Sequence, residues 1–368
     1  MRILVSGMVA GEPGQGGAAW AVLQYVLGLR RLGHEVVLVE PVPEIDAARL
    51  GYLEAVAARF DLELATLVAD EESAPIPYER LRGLAGEADL LLNVSGMLTD
   101  PELLEPVPVR AYLDLDPFFN QVWHLQGADM RFAAHSHFVT VGSGLGGEDC
   151  EVPTLGLSWI ETLPPVVLEH WAPAVEVPTL PFTSVGHWRS YGPIEHEGRR
   201  YGLRAHSLRE LAELPRRSEA EFALALGIHP GDGEDIAALE RQGWRLLDPA
   251  AAVPTPDSYS DFVSASQAEI GIAKEGYVRS RSGWFSDRSA CYLASGRPVV
   301  AQDTGFGRQL PTGSGLLSFS DLDGAVAAIE EVLADSRSHA RAAREIAAAE
   351  LDSDRVLGRL LEALGASR

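Results

Sequence analysis

The apolar positions of this 368-residue chain alternate between short unbroken runs and longer stretches where they recur every three or four residues. Residues 2–6 (RILVS) make the first run, and a glycine-rich segment follows over 7–17. Trp20, Leu23, Val26, Leu27 and Leu29 then keep helical spacing until Gly33-His34, and residues 35–40 (EVVLVE) predict a second strand. This is a βαβ opening. A helix over 46–60 and strands over 88–94, 109–115 and 131–140 continue it. Residues 163–181 break the pattern with five prolines and no helical period, which marks a linker, set at 171–181. Alternation then restarts. Strands are predicted over 182–185, 221–226, 244–247, 269–273 and 298–301, with helices over 207–214, 235–242 and 259–265 and Ala-rich helical sequence from 322 onward. The pattern implies two doubly wound α/β domains, 1–170 and 182–350, facing across a cleft. A closing helix within 351–368 can pack back on the first domain.

The most informative stretch is 274–305. It runs from a strand end through a Gly- and Arg-rich loop (276–283) to a helix start at Ser286, then through Gly296 into the strand of 298–301. Such a loop lies at the carboxyl end of a parallel sheet, where open α/β sheets bind ligands. Amides near residues 285–288 would face an anion, and Lys274, Arg279, Arg281 and Arg288 would surround it with positive charge. Lys274 is the sole lysine of the chain. A cation at a helix N-terminus opposes the macrodipole, so Arg288 there calls for a shared anionic partner.

Other polar residues are open to several readings. Asp114 and Asp116 fall two apart at a predicted strand end, which suits metal binding, paired acid–base work or a turn before Pro117. His135 and His137 share the same spacing on the strand predicted over 131–140; a structural or substrate-contacting histidine fits better than a metal pair, since no third ligand lies nearby in sequence.

The net charge of −23 argues against nucleic acid and anionic membranes as bulk partners, yet leaves room for a local basic pocket that takes a small anion. Two cysteines, Cys150 and Cys291, supply neither a disulfide framework nor a metal cluster, so a reducing cytoplasm is the expected compartment. No apolar run approaches the ~20 residues of a membrane span, and residues 1–10 lack the full signal-peptide pattern.

Two segments carry a family likeness. Residues 14–40 (GQGGAAWAVLQYVLGLRRLGHEVVLVE) look like the opening of GT-B-fold glycosyltransferases, and residues 294–305 (ASGRPVVAQDTG) resemble a segment of their nucleotide-sugar-binding domain. The resemblance implies two Rossmann-like domains, the first binding acceptor and the second a nucleoside-diphosphate sugar (UDP-, dTDP- or GDP-linked), with nothing bound permanently. The paired glutamates of the best-known retaining branch are absent: Gly283 and Cys291 stand in their places. The segment from Arg281 to Phe306 instead resembles bacterial proteins described only as glycosyltransferase-like.

On that resemblance the expected activity is metal-independent sugar transfer to a hydroxyl of a small molecule or glycan. Lys274, Arg288, Ser286, Asp287, Gly186 and Arg189 would hold the diphosphate, with Gly16 and Gly17 approaching across the cleft and Gln302, Asp303 and Thr304 reading the sugar. Asp116 is the favoured general base and His137 the second. Three alternatives keep part of this picture: a nucleotide-sugar 2-epimerase, a non-catalytic nucleotide-sugar-binding protein, and a metal-dependent transferase using Asp114 and Asp116.

Overall fold

Two parallel sheets carry the architecture of this computed structural model, which describes residues 1–11, 13–68, 72–173 and 177–366. Glu12 of the glycine-rich segment, residues 174–176 of the expected linker and residues 367–368 of the closing segment lie outside the described residues. The first sheet is built from β1 (Arg2–Ser6), β2 (Glu35–Pro41), β3 (Glu63–Val68), β4 (Glu72–Ala74), β5 (Leu90–Val94), β6 (Val109–Asp114), β7 (His137–Thr140) and β8 (Trp159–Glu161). Their order is β4-β3-β2-β1-β5-β6-β7-β8, parallel except at the β4 edge. β9 (Leu180–His187) opens the second half, followed by a hairpin of β10 (Ile194–His196) and β11 (Arg199–Tyr201). With β12 (Phe222–Gly227), β13 (Arg245–Leu247), β14 (Ser266–Gly271), β15 (Val299–Gln302) and β16 (Leu316–Phe319), β9 forms the second sheet, in the order β13-β12-β9-β14-β15-β16.

Strand order reverses once in each sheet, between β1 and β5 and between β9 and β14. At such a point adjacent connections leave on opposite faces and open a crevice at the carboxyl ends of the strands. β1 and β5 are buried on both faces, which is why they read as unbroken apolar runs rather than as alternation.

The two halves share one core. The Gly16–Arg31 helix buries Trp20, Leu23, Val26 and Leu27, and the Trp20 indole donates to Pro256 O in the Pro256–Ala265 helix of the second half (2.9 Å). Trp171 and Tyr259 pack edge-on beside it. The helices Leu322–Ala334 and Ser336–Ile346 contact β16. The chain then crosses back: Ser353 and Leu357 of the Ser353–Ala363 helix press on Gly28, and Arg31 reaches Asp354 at 3.0 Å.

Three local expectations are corrected. Residues 131–140 are not one strand: Phe132–Ala134 is a 3-10 turn and β7 begins only at His137, so His135 precedes the strand. The loop expected over 276–283 contains a helix, Glu275–Ser280, too short to show a helical period and ended by Arg281 in the left-handed region. β14 starts three residues early because its polar first residue is satisfied internally, Ser266 Oγ donating to Phe262 O (2.7 Å). Among the described residues no helix is long and apolar enough to cross a membrane.

Candidate functional site

A cavity of about 380 Å³ lies between the halves at the carboxyl end of β9. The glycine-rich turn around Gly14, Gly16 and Gly17 makes one wall, and Val185, Gly186 and His187 make the other. Pro249, Ala250, Val253 and Tyr259 also line the cavity, as do Asp287 and Arg288 in the first turn of the Asp287–Ala294 helix. Gln15 and His187 meet from opposite halves at 3.2 Å. Gly16 donates its amide to Val253 O (3.0 Å), and a Cβ there would strike the Thr255 carbonyl, so this contact requires glycine.

Arg288 lines the cavity, and a second arginine, Arg204, packs against its Gly186 wall. Arg288 donates from Nε to Glu269 Oε1 (2.5 Å), a carboxylate wholly buried in β14, and from a terminal nitrogen to Val185 O (2.9 Å). Burial works against its charge, but Glu269, together with Tyr259 and Asp287, raises its pKa. That pair answers how a cation tolerates a helix start. Arg204 approaches the same carbonyl from the Arg204–Glu210 helix, at 3.4 Å from Val185 O. Its guanidinium passes directly over Gly186, where any Cβ would collide with it. Burial first, and then Arg288, lower its pKa to about 9, so it stays charged at neutral pH. Its Nε finds no hydrogen-bond partner among the described residues. Two guanidinium groups therefore converge on one backbone oxygen, one neutralised and one not, as an anion-binding wall would be built.

The other expected site residues distribute unevenly. Gly16, Gly17, Gly186, Asp287 and Arg288 line the cavity. Burial raises the Asp287 pKa, opposed by Arg288. Ser286 is buried as the N-cap of the Asp287–Ala294 helix, without a side-chain capping bond. Lys274 is elsewhere. Its Nζ lies 2.8 Å from Asp116 Oδ2 and 2.6 Å from Tyr191 OH, ringed by Phe119, Tyr191 and Tyr277. Tyr191 also donates to Asp116 Oδ2 (2.7 Å), and Tyr277 OH binds Oδ1. Burial lowers the Lys274 pKa while Asp116 pulls it back. The two residues thus neutralise each other across the cleft, 158 positions apart in sequence. Lys274 as a phosphate cation and Asp116 as a free base are both corrected in this arrangement.

Further corrections follow from hydrogen bonding. Arg189 pairs with Asp232 in a separate depression beside Trp188. Gln302 accepts from Ala273 N (3.3 Å), Asp303 accepts from Gly305 N (2.8 Å) and lies 3.7 Å from Arg281, and Thr304 donates to Trp284 O (2.5 Å). Of the three, Thr304 holds the 283–285 turn, and none lines the cavity. Arg279 pairs with Glu275 at 2.7 Å. His137 starts β7, at the end of the sheet opposite the cleft, with Ser136 Oγ at 2.9 Å from its Nδ1. His135 is buried between Asn93 (3.0 Å) and the Arg131 carbonyl (2.8 Å). Asp114 is wholly buried and accepts from Asn120 (2.6 Å), Gln121 (2.8 Å), Thr140 (3.0 Å) and the Asp116 amide (3.0 Å). Burial pushes its pKa up to about 6 against those donors. With its lone pairs so occupied it is no partner for a metal pair with Asp116, and no cluster of three His, Cys, Asp or Glu fit for a metal occurs among the described residues. Arg204 and Tyr191 were missed, because one arginine among many and one loop tyrosine carry no sequence signal of their own.

No family model matches the chain, and no curated protein matches it in sequence. Solved structures do. An alpha-glucosyltransferase in complex with UDP-glucose and DNA containing an abasic site superposes with a TM-score of 0.63 over 99% of both chains, at 13% identity. Anabaena HepE in complex with UDP and glucose gives 0.59 over 100% of both chains, at 12% identity. The chain has the GT-B fold. The expectation of that fold stands; the exclusion of nucleic acid does not. Structures sharing the GT-B fold over the whole chain include an alpha-glucosyltransferase with DNA bound. A net charge sums the entire surface, whereas a duplex needs only one local strip of cations, so −23 cannot exclude it.

Proposed function

We propose that the chain is a glycosyltransferase that uses a UDP-linked sugar as donor and a hydroxyl-bearing molecule as acceptor, without a metal in the clamp. The observation that carries this is the convergence of Arg204 and Arg288 on Val185 O beside Gly186, at the strand-order reversal of the second sheet. The fold supports it: GT-B structures superposing on the chain carry UDP or UDP-glucose. In this reading the base occupies the end near Pro249 and Val253. The diphosphate lies over Gly186 against both guanidinium groups and the amides of the Asp287–Ala294 helix, and Gly16 and Gly17 cover it from the first half. The cations stabilise the negative charge that develops on the departing diphosphate, which is where electrostatic catalysis acts. The pair Lys274–Asp116 holds the halves in register around the donor and positions rather than reacts.

The test is mass-spectrometric. The protein is incubated with UDP-glucose, UDP-galactose or UDP-N-acetylglucosamine, with and without chelator. Each donor is offered alone, with sugar and small-molecule alcohols, and with duplex DNA bearing a hydroxymethylated base. UDP release coupled to an acceptor mass gain, unaffected by chelator, is the expected result. Isomerised donor in the absence of acceptor identifies an epimerase instead, and intact donor under every condition refutes turnover.

A further inference from the structure

Beside the main cavity, past Ala21 and Asp287, opens a second chamber of about 30 Å³, which accommodates little more than one water-sized group. Leu115, Val141, Trp284 and Phe285 give it apolar walls drawn from both halves. Gln24 lines it too, but its amide already donates to Cys291 Sγ (3.8 Å) and accepts from Val167 N (2.7 Å). Two further polar groups interrupt the walls. One is Asp287, shared with the main cavity. The other is Tyr25 of the Gly16–Arg31 helix, a residue only 2% exposed, whose hydroxyl has no hydrogen-bond partner among the described residues. Burial and the Asp287 charge both raise the pKa of this phenol, so it remains a donor at any physiological pH.

A buried hydroxyl without a partner is destabilising, and phenylalanine would fill the same volume without that cost. An orphan of this kind is tolerated where something else completes it. The chamber is too small for a base or a ring. It opens from the main cavity at Asp287, the residue next to Arg288 in the helix start that the donor reading sets against the diphosphate. An apolar slot with one fixed donor and one fixed acceptor suits a single alcohol group, which both donates and accepts.

We infer that this chamber is the sugar-specificity pocket of the donor site, in which Tyr25 and Asp287 bind one hydroxyl of the transferred sugar. The inference rests on the UDP-sugar reading above. Sites built to hydrogen-bond a hydroxyl reject analogues that lack or misplace it more strongly than an apolar slot rejects an extra methylene. Discrimination between epimeric donors therefore originates here, while affinity for the nucleotide originates at the arginines.

Calorimetric titration of UDP, UDP-glucose, UDP-galactose and UDP-xylose against the full chain and the Tyr25→Phe and Asp287→Asn variants tests it. The wild type is expected to prefer one sugar nucleotide over its epimer or truncated analogue. Tyr25→Phe is expected to cut that preference by about tenfold, the worth of one hydrogen bond to a fixed partner, with UDP affinity unchanged and thermal stability equal or higher. Asp287→Asn should also weaken the preference. If UDP binds but Tyr25→Phe keeps the wild-type preference, or the wild type has none, the chamber is not the specificity pocket and the donor site stands. If UDP itself fails to bind, the donor reading falls and takes this inference with it.

Discussion

Replacing Arg204 by methionine should make the protein more stable and a poorer binder at once. The side chain lies beside Arg288, both bonded to Val185 O at 3.4 and 2.9 Å, and its pKa is held down to about 9 by burial and that neighbour. Two unit charges ~5 Å apart at an effective dielectric of ~20 repel by about 3 kcal/mol. Partial solvent exposure, the attraction of Glu269 and the lost bond to Val185 O offset much of that. Methionine keeps the volume, and Arg288 keeps the carbonyl satisfied. A net gain of about 1–2 kcal/mol remains, a rise of a few degrees in melting temperature for a chain of this size. A charge-assisted hydrogen bond to a phosphate contributes about 1.5–3 kcal/mol, so the UDP dissociation constant should rise by about 10- to 100-fold. Differential scanning calorimetry of the free protein and titration with UDP measure the two halves independently. A variant that is less stable when free and binds UDP within a factor of two of wild type would refute the reasoning, because Arg204 would then be a structural arginine and not part of an anion site.

Three further outcomes follow from the same geometry. Lys274→Met should cost about 2 kcal/mol of stability, less than a fully buried pair would because both side chains are about one-fifth exposed; adding Asp116→Asn should restore part of it, and hydrogen exchange should report the loosening at Tyr191 and Tyr277 rather than in the sheets. Glu40, wholly buried under the glycine-rich turn, accepts from Ala10 N (2.9 Å), and burial lifts its pKa from 4.5 to about 8. Its neutral form belongs to the folded state, so stability is fully present below pH ~4.5 and is lost as pH rises toward 8; Glu40→Gln should flatten that slope in urea titrations at pH 5 and 8. Gly186→Ala, which drives a methyl into the Arg204 guanidinium, should lower UDP affinity by at least tenfold while far-ultraviolet circular dichroism stays unchanged; wild-type affinity in this variant would mean that Arg204 moves freely.

The chain's alternation displayed the fold well, because the central strands of both sheets are parallel and buried and so announce themselves as apolar runs separated by helical spacing. Where strands begin with polar residues, as β14 does at Ser266, the run starts late and the boundary slips. The site was legible in part. Gly16, Gly17, Gly186, Asp287 and Arg288 follow from loops and helix starts at strand ends, a local property that sequence displays. Lys274 and Asp116 stood out correctly as unusual, but their mutual pairing is a product of how two distant loops meet, and nothing local encodes it. The same holds for Arg204, which owes its meaning to Gly186 on another element, and for Tyr25, whose orphan hydroxyl is visible only once the walls around it exist. His135 and His137 misled because a two-residue spacing puts groups on one face only in a strand, and the chain turns there instead.

The most direct test of the account is to titrate the wild-type protein with UDP and with uridine side by side, in chelator. On the proposed reading the two arginines take the diphosphate, so UDP should bind in the micromolar range and uridine at least about a hundredfold more weakly, as expected for losing two or more charge-assisted contacts. Equal affinity for the two, or no binding of UDP, would show that the cavity beside Gly186 does not read phosphate.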